Sequence, residues 1–174
     1  NIIFEIFVQR EATIETLTFP YKTYRKGQKE LMKYAYGVAL KGGVLYAEAP
    51  TGLGKTISSL LPFIKAMKGD EKAKIFYLTA KTSGRESAMN AISILKNRGL
   101  KLHEIIITAK DKICFCKDKA CNPDECPFAR NYYNKIQSVI RYALINYSTF
   151  DNKTICEIAY DNEICPFEFQ LDLS

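Results

Sequence analysis

The stretch Ala49-Pro50-Thr51-Gly52-Leu53-Gly54-Lys55-Thr56 constrains this chain more than any other. A loop of this spacing works where a strand ends and a helix begins, because its backbone N–H groups must converge on one anion. Gly52 and Gly54 allow the conformations and the close approach this needs. Lys55 would reach the outer phosphates of a nucleotide, and the Thr56 hydroxyl would hold Mg2+. Ala49 stands where the strict motif has glycine, a position that accepts a small residue. The flanks fit: residues 44–49 read as a short buried strand, and a helix follows over about 55–67. A chance Gly-Lys-Thr turn is the alternative, and the strand before it and helix after it argue against that.

The neighbouring segments continue the alternation. A helix is expected over about 26–40, with Leu31, Tyr34, Ala35 and Val38 at helical spacing and Gly42 and Gly43 ending it. A second strand over 74–80, a helix over 83–98 and a third strand over 103–108 follow. Strand–helix–strand–helix–strand implies a parallel α/β sheet. Residues 1–18 hold the apolar run Ile2, Ile3, Phe4, Ile6, Phe7 and Val8, read as a helix or strand left from a preceding segment. The chain begins without Met, which suggests a piece of something longer. Its 174 residues suffice for one core plus a small module. No stretch approaches the roughly 18 apolar residues of a membrane span, so no membrane partner is expected.

Charge is uneven. Residues 20–101 carry 16 Lys/Arg against 5 Asp/Glu, and residues 110–168 carry 8 against 9. The basic excess thus sits with the phosphate loop, where it would serve nucleotide, nucleic acid or a solvated face.

All six cysteines, Cys114, Cys116, Cys121, Cys126, Cys156 and Cys165, lie in the last 61 residues. A secreted disulfide scaffold would spread them along the chain. Clustered beside a nucleotide motif, they fit a reducing, intracellular (cytoplasmic) setting and a soft-metal or cluster site. The Cys121-x4-Cys126-Pro127 spacing is not the Cys-x2-Cys knuckle usual for structural zinc. Cys156 falls on an expected helix over 153–160 and reads as a core thiol. Another helix is expected over 127–147, its face made of Phe128, Tyr132, Ile136, Val139, Ile140, Ala143, Leu144 and Tyr147. His103, far from the cysteines, reads as structural.

Phe19-Pro20-Tyr21 with Tyr24, Arg25 and Gln28, then the phosphate loop, then Tyr77-Leu78-Thr79-Ala80-Lys81-Thr82, together resemble superfamily 2 helicases of the XPD/DinG type. The cysteines, with Cys165-Pro166-Phe167-Glu168, resemble that family's four-cysteine insert, which also follows the third strand. The resemblance runs from Phe19 nearly to the end of the chain. It implies an α/β fold: an incomplete P-loop NTPase (RecA-like) parallel sheet with a mostly helical, cysteine-rich Fe–S insert. Residues 1–18 would be a remnant, 19–109 the first part of motor domain 1, 110–168 the insert and 169–174 the return to the motor domain.

By the same resemblance, Gln28 would bond the adenine edge and Arg25 would lie against base or phosphates. Phe19 or Tyr21 would stack on the base, unless both simply cap the sheet. Lys81, Thr82, Ser83 and Arg85 would meet the backbone of single-stranded DNA, although Ser83 would equally serve as a helix cap. Cys114, Cys121, Cys126 and Cys165 would hold a [4Fe–4S] cluster, with Cys116 the competitor of Cys114 and zinc the competitor of iron. The cofactors implied are ATP, Mg2+ and that cluster, and no protein partner is inferable.

No Asp-Glu-Ala-His-like segment for Mg2+ and water occurs in the sequence. The chain alone is therefore not expected to hydrolyse ATP at a useful rate. The rival readings are a P-loop kinase or small-molecule NTPase with structural zinc, and a metal-stapled nucleic-acid-binding module.

Overall fold

The apolar run at the start of the chain folds as a helix, α1 (Ile2–Thr16). The structure is a computed structural model that describes residues 2–174. Asn1, the first residue of the expected 1–18 segment, lies outside the described residues. The chain divides into a unit over Ile3–Lys101 and another over Leu102–Ser174.

In the first unit, α1 closes over the turn that follows the phosphate-loop helix. Arg10 Nη2 donates to the Asp70 carbonyl, Glu11 accepts from Gly69 N–H at 2.7 Å, and the Lys101 N–H donates to Thr13 Oγ1 at 3.0 Å. Helix α2 (Gln28–Lys41) starts after Gly27 (φ 80°) and stops at Gly42 (φ 76°), both in the left-handed region that glycine tolerates. Helices α3 (Lys55–Ala66) and α4 (Thr82–Lys96) complete the unit, with α3 packed against both α2 and α4. Ile57, Leu60, Leu61 and Ile64 of α3 are buried, as are Ala91, Ile92 and Leu95 of α4, which is the spacing of one helical face.

The sheet expected here does not form a ladder. Residues 44–49 and 74–80 form no strand and make no ladder pairing. Val44, Tyr46, Phe76 and Leu78 stand largely exposed. A parallel strand is held by neighbours on its edges and buried by layers on its faces. These two segments have neither, whereas each helix satisfies its own backbone.

In the second unit, β1 (Glu104–Ile105) pairs in parallel with β2 (Thr149–Phe150), Glu104 opposite Thr149 and Ile105 opposite Phe150. The third expected strand thus survives as a two-residue piece, and it folds with the cysteine-rich part rather than with the phosphate loop. Helix α5 (Lys110–Ile113) precedes the cysteine loop, and α6 (Tyr132–Asn146) follows it. The expected start of α6 at 127 is delayed because Ala129 and Arg130 both turn back to the Cys126 carbonyl and Asn131 takes φ 59°. Helix α7 (Asn152–Asp161) is capped by Asp151, whose carboxylate accepts from Thr154 N–H at 2.8 Å. That bond holds the Asp151 carboxyl below its usual range. Helix α8 (Pro166–Leu173), where only a return segment was expected, begins with proline at its first turn.

The core of this unit gathers Ile113, Tyr132, Ile136, Val139, Ala143, Phe150, Ile155, Ile158, Ile164 and Phe169. Tyr147, expected on the buried face, is exposed. No helix among the described residues is long and apolar enough to cross a membrane.

Ile155 has no exposed surface and lies in this core. Ile155→Ala should cost roughly 2–5 kcal/mol, the range for truncating a buried aliphatic side chain. Urea melts followed by hydrogen exchange would place the loss in residues 102–174. A wild-type midpoint would contradict the core described above.

Candidate functional sites: a phosphate loop and a cysteine cluster

The phosphate loop has the two left-handed glycines its sequence demands, Gly52 at φ 87° and Gly54 at φ 83°. Between them Leu53 is buried and anchors the loop, its N–H donating to the Pro50 carbonyl. Gly54 is the N-cap of α3, so the first free amides of that helix open onto the loop. The Lys55 ammonium folds back to donate to the carbonyls of Ala49 (2.8 Å) and Pro50 (3.1 Å). Thr51 and Gly52 are exposed, and Thr56 is half-buried on the first turn.

Gln28 is 3% exposed and belongs to this loop. Its Oε1 accepts from Arg25 N–H at 3.0 Å. Its Nε2 lies 2.8 Å from where a Cβ on Gly54 would be. The glutamine expected to read adenine therefore also fills the space that glycine leaves in the phosphate loop. Arg25 itself is exposed.

The aromatic segment is arranged differently from expectation. Phe19 stacks on Tyr24, with centroids 4.1 Å apart and planes at 14°, and meets Tyr21 edge-on at 5.5 Å. One Phe19 face is thus covered. Tyr21 and Tyr24 are the exposed rings, and the Lys29 ammonium lies 4.7 Å from the Tyr24 centroid. Tyr24 was not singled out as a stacking residue from sequence, although its spacing from Phe19 within a turn was a usable signal. Arg98 pins this turn by donating to the Pro20 carbonyl at 2.8 Å.

At the start of α4, Lys81 is the N-cap and no side chain caps the helix, so Ser83 is not a cap. The Thr79 hydroxyl instead brackets Lys81, donating to its carbonyl and accepting from its N–H. A Cβ on Gly84 would collide with the Thr79 side chain. Lys81, Thr82, Ser83 and Arg85 are exposed together.

In the second unit the loop 114–126 is braced by Asn122, whose Oδ1 accepts from the N–H groups of Asp124 (3.1 Å) and Glu125 (2.9 Å). Arg130 ties the same loop through the carbonyls of Pro123 and Asp124. Cys126 is buried, Cys114, Cys116 and Cys165 are half-buried, and Cys121 is exposed. These five thiols are electrostatic neighbours. Burial, and then a hydrogen bond with Cys126, raises the Cys116 thiol. The Lys110 ammonium is raised by its hydrogen bond to Cys121 and by the nearby Cys114 and Cys165. Burial raises the Cys165 thiol, while the N–H groups of Phe167 and Glu168 at the start of α8 pull it down.

Among the described residues, no three His, Cys, Asp or Glu side chains stand in metal-holding geometry. Cys114, Cys121 and Cys165 lie near Lys110, and Cys116 lies near Cys126 and Cys114. Soft sulfur donors of this kind suit a soft metal or an iron–sulfur core. Cys114 and Cys116 both stay candidates for the same ligand position.

Cys156 carries no cysteine neighbour among its perturbing groups, and only burial raises it. It is half-buried and packs against the core as expected of a core thiol, on the wall of an open hollow of about 600 Å3 with Phe115, Tyr142, Tyr147, Glu157 and Tyr160. His103 is structural, its Nε2 donating to the Leu144 carbonyl at 3.0 Å and its ring stacked on Phe150. No family model, curated protein or solved structure matches the chain.

Gly54→Ala should cost roughly 1–3 kcal/mol for the left-handed backbone alone. It should also abolish phosphate binding, because the new Cβ displaces Gln28. Adding Gln28→Ala should return part of the lost stability by emptying that space. Thermal melts and calorimetric titration with inorganic triphosphate read both effects. A Gly54→Ala protein that melts and binds like wild type would contradict the loop geometry.

Proposed function

We propose that this chain is the nucleotide-binding front part of motor domain 1 of an ATP-dependent DNA helicase, carrying a [4Fe–4S] insert. The observation that carries the reading is the phosphate loop itself. Two left-handed glycines, the N-terminus of α3 and Lys55 converge there, with Gln28 packed beneath. Among the described residues Lys55 donates to two loop carbonyls, and phosphate oxygens are better acceptors for an ammonium. On this reading β- and γ-phosphates take over Lys55, the amides of α3 bond their oxygens, and Thr56 ligates Mg2+. Tyr21 supplies an exposed ring for adenine, and Gln28 is the residue assigned to its edge.

The fold proposed is an incomplete RecA-like parallel sheet. The apolar runs Val44-Leu45-Tyr46 and Phe76-Tyr77-Leu78 support it, since their exposed side chains are of the kind that strands bury beneath another layer. Lys81, Thr82, Ser83 and Arg85, exposed at the start of α4, support contact with the phosphates of single-stranded DNA. The parent would couple ATP hydrolysis to translocation on that strand, in the 5′→3′ direction by the resemblance. Such work fits an intracellular, cytoplasmic setting. Cys114 or Cys116, with Cys121, Cys126 and Cys165, would hold the cluster, which supplies a rigid inorganic brace for the loop. Lys110 offsets part of its negative charge.

Lys55→Ala should abolish triphosphate binding in the parent protein, measured by titration; equal affinity would rule the site out. The complete protein should bind single-stranded DNA with steep salt dependence. Binding that ignores salt, or none, would favour a small-molecule NTPase.

Anaerobically purified chain should be brown, with about four irons if four cysteines hold a cubane cluster. Serine at Cys121, Cys126 or Cys165 should bleach it, and Cys156→Ser should not. Comparing Cys114→Ser with Cys116→Ser decides the remaining ligand. Stoichiometric zinc in colourless protein would sink the cluster assignment.

A further inference from the structure

Helix α8 carries Cys165 at its N-cap, and two part-buried polar links tie down the rest of the helix. Gln170 has no exposed surface. Its Nε2 donates to the Thr108 carbonyl at 2.7 Å, and its Oε1 accepts from the Thr108 N–H at 2.8 Å. This is the two-bond exchange that a residue on a neighbouring strand would make. A side chain thus stands in for a strand beside the segment that leaves β1. Two residues further along, the Asp172 carboxylate accepts from the buried Tyr132 hydroxyl at 2.8 Å.

The spacing of these anchors is what matters. Thr108 lies six residues before Cys114, and Tyr132 lies six residues after Cys126. One short helix therefore grips the chain just before the cysteine loop and just after it, while its own N-cap presents the distant cysteine. Neither link spends an atom that a metal would use, because both polar atoms of the Gln170 amide are taken by Thr108.

We infer that Gln170 and the Tyr132–Asp172 pair are positioning residues that fix Cys165 beside the loop 114–126, so that less of the site has to be ordered when an inorganic core arrives. The inference rests on the cysteine-cluster reading above. Removing the Gln170 amide leaves the Thr108 N–H and carbonyl without their partner and lets α8 slide relative to the loop. Losing a residue that orients metal ligands typically weakens the site about 10–100-fold.

The test follows bleaching by a chelator in the anaerobically prepared full chain, well below its melting temperature. Gln170→Leu should speed bleaching about tenfold or more, and Tyr132→Phe should speed it by a smaller factor. Gln170→Glu keeps the acceptor for the Thr108 N–H and loses the donor when ionised, so it should fall between wild type and Gln170→Leu. Should Gln170→Leu fail to fold, Gln170→Glu and Tyr132→Phe carry the same comparison. Phe169→Leu is the control: it is equally buried on the same helix and makes no polar link. It should lower the melting midpoint and leave bleaching within about twofold of wild type. Wild-type bleaching in Gln170→Leu, or bleaching in Phe169→Leu as fast as in Gln170→Leu, would overturn the inference.

A second arm needs no iron. Cobalt(II) titrated into the metal-free chain gives thiolate-to-cobalt absorption, and Gln170→Leu should weaken that binding about tenfold or more. Wild-type protein that takes up no iron but shows this cobalt difference would remove the cluster reading and leave the positioning role standing. Equal cobalt affinity in both proteins would overturn the positioning role, whatever the iron content.

Discussion

A missing Cβ organises the first unit. Gly54 begins α3 in a left-handed conformation, and the volume a side chain would fill is taken by the amide of Gln28, the first residue of α2. The contact joins the N-termini of two helices at the phosphate loop. It also joins the loop to the segment before α2, because the other end of the same amide holds the Arg25 N–H. Anything that moves the Phe19–Arg25 segment is thereby felt at the loop through one buried side chain. A base held by the exposed rings and phosphates held by the loop would be coupled without any intervening strand.

The second unit solves a similar problem in a similar way. Its ladder is only two residues long, too short to position a distant cysteine by backbone pairing alone. A buried glutamine extends the pairing with its side chain, and α8 inherits a fixed position from it. Tyr132 adds a second fixed point. Burial, and then its bond to Asp172, raises the phenol far above its ordinary range.

The helices were legible in the sequence because their signals are local. The apolar faces of α3 and α4, the glycines around α2 and the span of α7 all lie within a turn or two of one another. Strands are not local, and the apolar runs at 44–49 and 74–80 say what those residues would bury without supplying partners. Helix α8 was missed because eight residues give little periodicity, and a glutamine among Phe169, Leu171 and Leu173 looks like an exposed position. The role of Gln28 was half legible. Its place before a phosphate loop was readable, while its fit against Gly54 depends on two helices meeting.

The thiol chemistry follows from where these anchors put the sulfurs. Burial opposes ionisation of Cys116 and Cys165, so thiolates at this site need positive charge close by. Three local sources exist: the Lys110 ammonium beside Cys121, the Lys119 ammonium near Cys116, and the amides of Phe167 and Glu168 that open α8 toward Cys165. On the proposed reading, a soft cation or an iron–sulfur core would add further positive charge and displace the thiol protons on binding. The proposed occupant is therefore tied to the same geometry as the fold. Under that proposal, metal binding would become more favourable the more firmly α8 holds Cys165 beside the loop.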